Sequence, residues 1–176
     1  MMNMASEPQL ALGMWIAMMA AMMLPGAVPA MARTPRKLLF ALAYLGLWSA
    51  FGAAAALLQF ALESRHLLTQ DMALRSSAAA GLSLVAIGSY QLTPLKHACL
   101  RHCRSADTAP LRYGLVCLGA SWALMGILFV VGVMSYLWIA ALAIWLAAEK
   151  LWRWGSRLAA AGGVVLIGWG GADLFH

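Results

Sequence analysis

Apolar residues along this chain fall into long unbroken runs. They show neither the alternation of a half-buried strand nor the three-to-four spacing of a helix with one wet face. The runs extend from Leu10 to Met31, Leu38 to Leu62, Leu74 to Leu92, Leu111 to Ala148 and Arg157 to Leu174, with short polar, basic or proline-containing stretches between them. A helix rises about 1.5 Å per residue and the bilayer core is about 30 Å thick, so roughly 20 apolar residues make one span. Taken as one helix, Leu111 to Ala148 would measure about 57 Å. It must fold back, and Gly132 to Ser135 is where a turn fits. The pattern predicts six helices, over about 10–31, 38–62, 74–92, 111–131, 135–150 and 157–174. Thr93 and Pro94 end the third, and Thr93 as N-cap with Pro94 at the first helical position opens a short further helix outside the bilayer.

The expectation is an all-α polytopic membrane protein, one integral domain over residues 1–176 built as a six-helix transmembrane bundle. Composition agrees: 64 % of residues are hydrophobic and 10 % charged, against about 25 % charged in soluble domains. The first run is longer than a signal-peptide core and no small-residue cleavage site follows it, so it is expected to be a retained helix.

Charge adds orientation. Arg33, Arg36 and Lys37 lie between helices one and two, Lys96, Arg101, Arg104 and Arg112 between three and four, and Lys150, Arg153 and Arg157 between five and six. Only Arg65 and Arg75 fall in the other loops. The positive-inside rule makes the three basic loops cytoplasmic and puts both termini on the non-cytoplasmic side of a bacterial inner membrane. Glu7, Glu63, Asp71 and Asp173 fall on that outer side. The net charge of +6 is accounted for by topology and anionic lipid, and no nucleic-acid partner is expected.

Candidate chemistry begins with methionine. In "MWIAMMAAMMLPG", Met14, Met18 and Met22 recur every four residues on one helix face, and Met19 with Met23 makes the adjoining row. Thioether sulfur is a soft, uncharged donor that suits Cu(I), and it can sit in hydrocarbon without the cost of a carboxylate. Methionine is also a flexible packing residue, and a stripe at helical spacing is more often core than a metal site, so on spacing alone the stripe reads first as core. A second constellation is "YQLTPLKHACLRHCR": on a helix opened by Pro94, Cys99, His102 and Cys103 share one face, a donor set for a soft metal or zinc, with His97 a weaker fourth. A disulfide is not expected on the cytoplasmic side. Cys117 and Met125 lie in the fourth helix, and Met134 in the tight turn. Glu149 ends the fifth helix beside Lys150 and near Arg153, so a salt bridge to one of these cations or an ion-path role is expected of it. Gln59, Tyr90 and Gln91 offer interhelical hydrogen bonds. No nucleotide loop, serine nucleophile with a base, or pair of catalytic carboxylates appears, so no enzyme is expected.

The segments "WIAMMAAMMLPG", "YQLTPLKHACLRHCR" and "CLGASWALMGILFVVGVMSYLWIAALAIWLAAEK", in that order and covering over half of the chain, resemble a bacterial family described as predicted metal-binding integral membrane proteins. What the resemblance implies falls on Trp15, Met18, Met22, Met23 and Pro25, then Tyr90, Gln91, Pro94, Lys96, Cys99 and Cys103, then Cys117, Trp122, Met134, Glu149 and Lys150. The chain departs from the family pattern at Ala120 and Ser121, where members often carry a Cys-Cys pair, and the stretch between Arg104 and Leu111 is short. Together the residues and the resemblance predict Cu(I) binding or handling in the inner membrane by Met14, Met18, Met22, Met23, Cys99, His102, Cys103 and Cys117. The competing expectation is a small accessory subunit that packs against other membrane subunits, or a homo-oligomer, with no metal of its own.

Overall fold

The computed structural model describes residues 8–69, 73–103, 109–132 and 135–174. Among these the chain is all-α: α1 (Pro8–Arg33), α2 (Lys37–Ser64), α3 (Ser77–Gln91), α4 (Pro94–Cys103), α5 (Pro110–Met125), α6 (Ile127–Val131), α7 (Tyr136–Leu151) and α8 (Gly155–Leu174). Three segments are long and apolar enough to cross a membrane, Gln9–Arg33, Lys37–Ser64 and the joined α5–α6 stretch Pro110–Val131; α3 and α4 together pass the same test but are bent by 61°. That bend falls at Thr93–Pro94. There Thr93 Oγ1 accepts from the Lys96 amide (3.3 Å) and donates to the Tyr90 carbonyl (2.7 Å), closing one helix while starting the next. The fold-back of the long apolar run comes after α6, where Gly132 takes φ 94°, a left-handed conformation that favours glycine. Met134 of that turn lies outside the described residues, as do Met1, Met2, Met4, Glu7, Asp71, Arg104 and His176.

Helices here pack through small residues. In α3 and α8, Gly81 faces Gly170 and Gly88 faces Gly163 in antiparallel register. A β-carbon at any of the four would stand 2.5–2.8 Å from the opposing backbone oxygen. Only glycine allows that approach, which brings close van der Waals contact along the pair. On the other side of the bundle α1 and α2 run antiparallel: Gly52 lies against the Trp15 backbone, and Trp15 Nε1 donates to Gln59 Oε1 at 2.7 Å. Between these two pairs stands α5, whose Tyr113, Cys117, Ala120, Ser121 and Leu124 are buried. Gln59, Tyr90 and Gln91 all make interhelical bonds, Tyr90 to the Gly119 carbonyl of α5.

Candidate metal centre

The methionine rows of α1 turn inward. Met18, Met19, Met22 and Met23 are buried in the core, and Met14 is partly buried against it. Most of the stripe therefore packs, as gap-filling side chains do. Met23 is different: its Sδ lies 3.3 Å from Lys150 Nζ of α7. The same ammonium is 2.9 Å from Cys117 Sγ of α5. Tyr44 of α2 brings its hydroxyl to 3.1 Å from that sulfur and to 3.3 Å from the Met23 carbonyl.

Cys103 completes the group from the end of α4. Its thiol is buried, lines the same cavity as Lys150, and is close enough to Cys117 for the two groups to act on each other electrostatically. The helix register explains why. Cys99 and Cys103 are four apart and share the face of α4 that packs on α5, so Cys99 sits against Gly119 while Cys103 comes to Cys117. Both thiols, and Cys99, are free. Met23, Cys103 and Cys117 thus bring one thioether and two thiols around one buried cation, each from a different helix.

The expected grouping of Cys99, His102 and Cys103 is not what the structure brings together. Cys103 points into the bundle, Cys99 is half-buried against α5, and His102 is half-buried at the end of α4. Among the described residues no three His, Cys, Asp or Glu side chains gather to hold a metal ion. Any centre here relies on the thioether of Met23 as its third donor.

Glu149 likewise finds a partner that the sequence did not suggest. It pairs with Lys96 of α4, Oε2 to Nζ at 2.8 Å, with both side chains about 1 % exposed, instead of with its neighbour Lys150. Gln91 bridges the pair, its Oε1 accepting from Lys96 Nζ and its Nε2 donating to Glu149 Oε1 at 3.5 Å. Trp145 Nε1 donates to the same oxygen at 2.7 Å. With Glu149 neutralising Lys96, the Lys150 ammonium is left to the two sulfurs and to the Trp48 ring, 5.8 Å from its centroid.

Two tyrosines were missed. Tyr44 and Tyr113 are buried, Tyr44 stacked on Phe40 and Tyr113 tilted against both rings, and both are aimed at the α1 backbone beside the prolines: Tyr113 OH donates to the Gly26 carbonyl at 3.3 Å. A phenol inside an apolar helix needs a polar partner, and that was the available signal. Beside the sulfurs, towards the Arg33 end of α1, lies a cavity of about 170 Å³ lined by Gly26, Arg33, Cys103, Tyr113 and Lys150 among others. It reaches the sulfur group from the end of the bundle where the basic residues of α1, α7 and α8 lie.

No curated protein and no solved structure matches the chain. A family model described as PpoB2, copper chaperone, matches residues 12–172.

Proposed function

The chain belongs to the PpoB2 copper chaperone family, and we propose that it carries Cu(I) on Met23, Cys103 and Cys117 inside a six-helix bundle of the bacterial inner membrane. The observation that carries this reading is the meeting of Met23 Sδ and Cys117 Sγ around one cation, with the Cys103 thiol alongside. Two thiols and a thioether make a soft donor set, which favours Cu(I) over Zn(II), Mg(II) or Ca(II). Burial keeps water from competing for the ion, and Tyr44 holds the Cys117 sulfur in place. In this reading α1, α2, α3, α5 with α6, α7 and α8 each cross the bilayer and α4 lies at its cytoplasmic face. Both termini then face outwards, and the sulfur group sits near the cytoplasmic boundary. The chain acts as a carrier and performs no catalysis.

The test is elemental analysis of detergent-purified, reduced protein after Cu(I) loading and a wash with a competing Cu(I) chelator. About one copper per chain is expected to survive the wash, as for a single buried soft-donor site. Cys117→Ser and Cys103→Ser should lose it, Met23→Leu should hold it more weakly, and Cys99→Ser should leave it in place. Copper retained by both Cys103→Ser and Cys117→Ser, or a wild-type chain that retains none, defeats the reading.

A further inference from the structure

A buried lysine that spends its ammonium on two sulfurs is an unusual use of a cation. Glu149 is one residue away in sequence, yet it is engaged by Lys96, so Lys150 reaches across to Met23 Sδ and Cys117 Sγ instead. We propose that Lys150 is a tethered stand-in for the metal: its ammonium and Cu(I) are alternative occupants of one sulfur site, and loading requires Lys150 to withdraw into the neighbouring cavity. This rests on the carrier reading above and adds how the ion is taken up and let go.

Three observations carry it. First, the ammonium stands at hydrogen-bonding distance from two of the three proposed donors, so a metal ion bound to both sulfurs would have to take its place. As Cu(I) takes the place of the ammonium, the Cys103 and Cys117 thiols release their protons and become thiolate ligands, and a cation that leaves as another enters limits the change of charge that a low-dielectric interior penalises heavily. Secondly, there is somewhere to go. Lys150 itself lines the cavity of about 170 Å³, which opens past Gly26, Tyr113 and Arg33. Its stem runs over Gly26, where a β-carbon would stand 3.0 Å from Lys150 Cδ. A glycine at that point leaves the stem room to swing.

Thirdly, the cavity wall carries a like charge. Arg33, the exposed basic residue that ends α1, lines the cavity at its solvent side, and it opposes, with a strength reduced by solvent screening, an ammonium drawn into the cavity. The withdrawn state is thus under electrostatic load. The returning amine competes with Cu(I) for the sulfurs and favours release, which a carrier needs and a storage site does not.

Equilibrium competition against a Cu(I) chelator, with full-length protein in detergent, tests the idea. Lys150→Leu removes the competitor and adds no donor, so it should hold Cu(I) about tenfold more tightly, the worth of one lost charge-assisted hydrogen bond. Its transfer of copper to a chelator should slow correspondingly. Arg33→Gln should tighten binding in the wild-type background and have no effect in Lys150→Leu, because the load acts only through the amine. In case Lys150→Leu fails to fold, wild-type protein gives its own answer: labelling of Lys150 by a small amine-reactive reagent, read by mass spectrometry, should rise several-fold on copper loading. Binding that weakens or stays the same in folded Lys150→Leu, or labelling unmoved by copper, overturns the displacement while leaving the Cys103 and Cys117 site standing. A wild-type chain that keeps no copper after the chelator wash removes the carrier reading and this proposal with it.

Discussion

Ser121 on α5 is wholly buried, and its hydroxyl has no hydrogen-bond partner among the described residues. A buried hydroxyl left unpaired costs stability that alanine would not. Ser121→Ala should therefore raise the unfolding midpoint by about 2–4 °C, corresponding to about 1 kcal/mol, in a thermal melt of the detergent-solubilised protein. A fall in the midpoint would mean that the hydroxyl is satisfied after all. Of the sulfur group that the helices bring together, the residues were legible as types: Met23, Cys103 and Cys117 stood out because thioether and thiol sulfurs are soft donors. What could not be read was their company. Spacing along one helix groups Cys99, His102 and Cys103, but a helix face that packs against a neighbour sends its side chains into the neighbour's territory. Cys103 belongs with Cys117 on α5 for that reason, and Lys150 with Cys117 and Met23 instead of with the adjacent Glu149.

At the scale of helices, two contacts hold the bundle in different ways. The α3–α8 pair depends on the absence of side chains at Gly81, Gly88, Gly163 and Gly170. Gly88→Ala or Gly163→Ala must push two backbones apart, an overpacking cost of about 1–3 kcal/mol. The midpoint should drop accordingly. At Gly46 and Gly168 a β-carbon would meet nothing within 4 Å, so alanine there should be neutral or stabilise by about 0.5–1 kcal/mol through helix propensity. Equal gains at Gly46, Gly88, Gly163 and Gly168 would show that backbone entropy and not close approach governs. The other contact is ionic: Lys96 and Glu149 tie α4 to α7 with Gln91 and Trp145 closing the shell. Removing one partner strands a buried charge, so Glu149→Gln or Lys96→Met alone should cost about 3–5 kcal/mol, and the pair together much less than the sum. Additive losses in that double-mutant cycle would mean that the two side chains do not interact. Helix existence was legible from run length, and the bend at Thr93–Pro94 from residue chemistry. Partner choice was not, because the glycines of α3 and α8 and the two charges lie far apart along the chain and carry no local mark of each other.

For the molecule as a whole, sidedness decides what the site can do. Arg33, Lys96, Cys103 and Lys150 gather at one end of the bundle, joined by the cavity below the sulfurs and by the Lys96–Glu149 pair, while Gln59 and Glu63 form a hydrogen-bonded chain with Trp15 on α1 and α2, well away from the site. If the basic end is cytoplasmic, as we propose from the loop charges, the proposed carrier gives or takes copper at the inner face, where thiols stay reduced and Cys103 and Cys117 remain available as ligands. Were the bundle inverted, the same thiols would face an oxidising compartment and a soft site there would be liable to close as a disulfide. Topology reporters separate the two arrangements. An alkaline phosphatase, active only outside the cytoplasm, should be active when fused after Thr69 between α2 and α3 and inactive when fused after Cys103. The opposite pattern would place the sulfur site at the outer face and make copper capture from outside, instead of delivery within, the step that Lys150 controls.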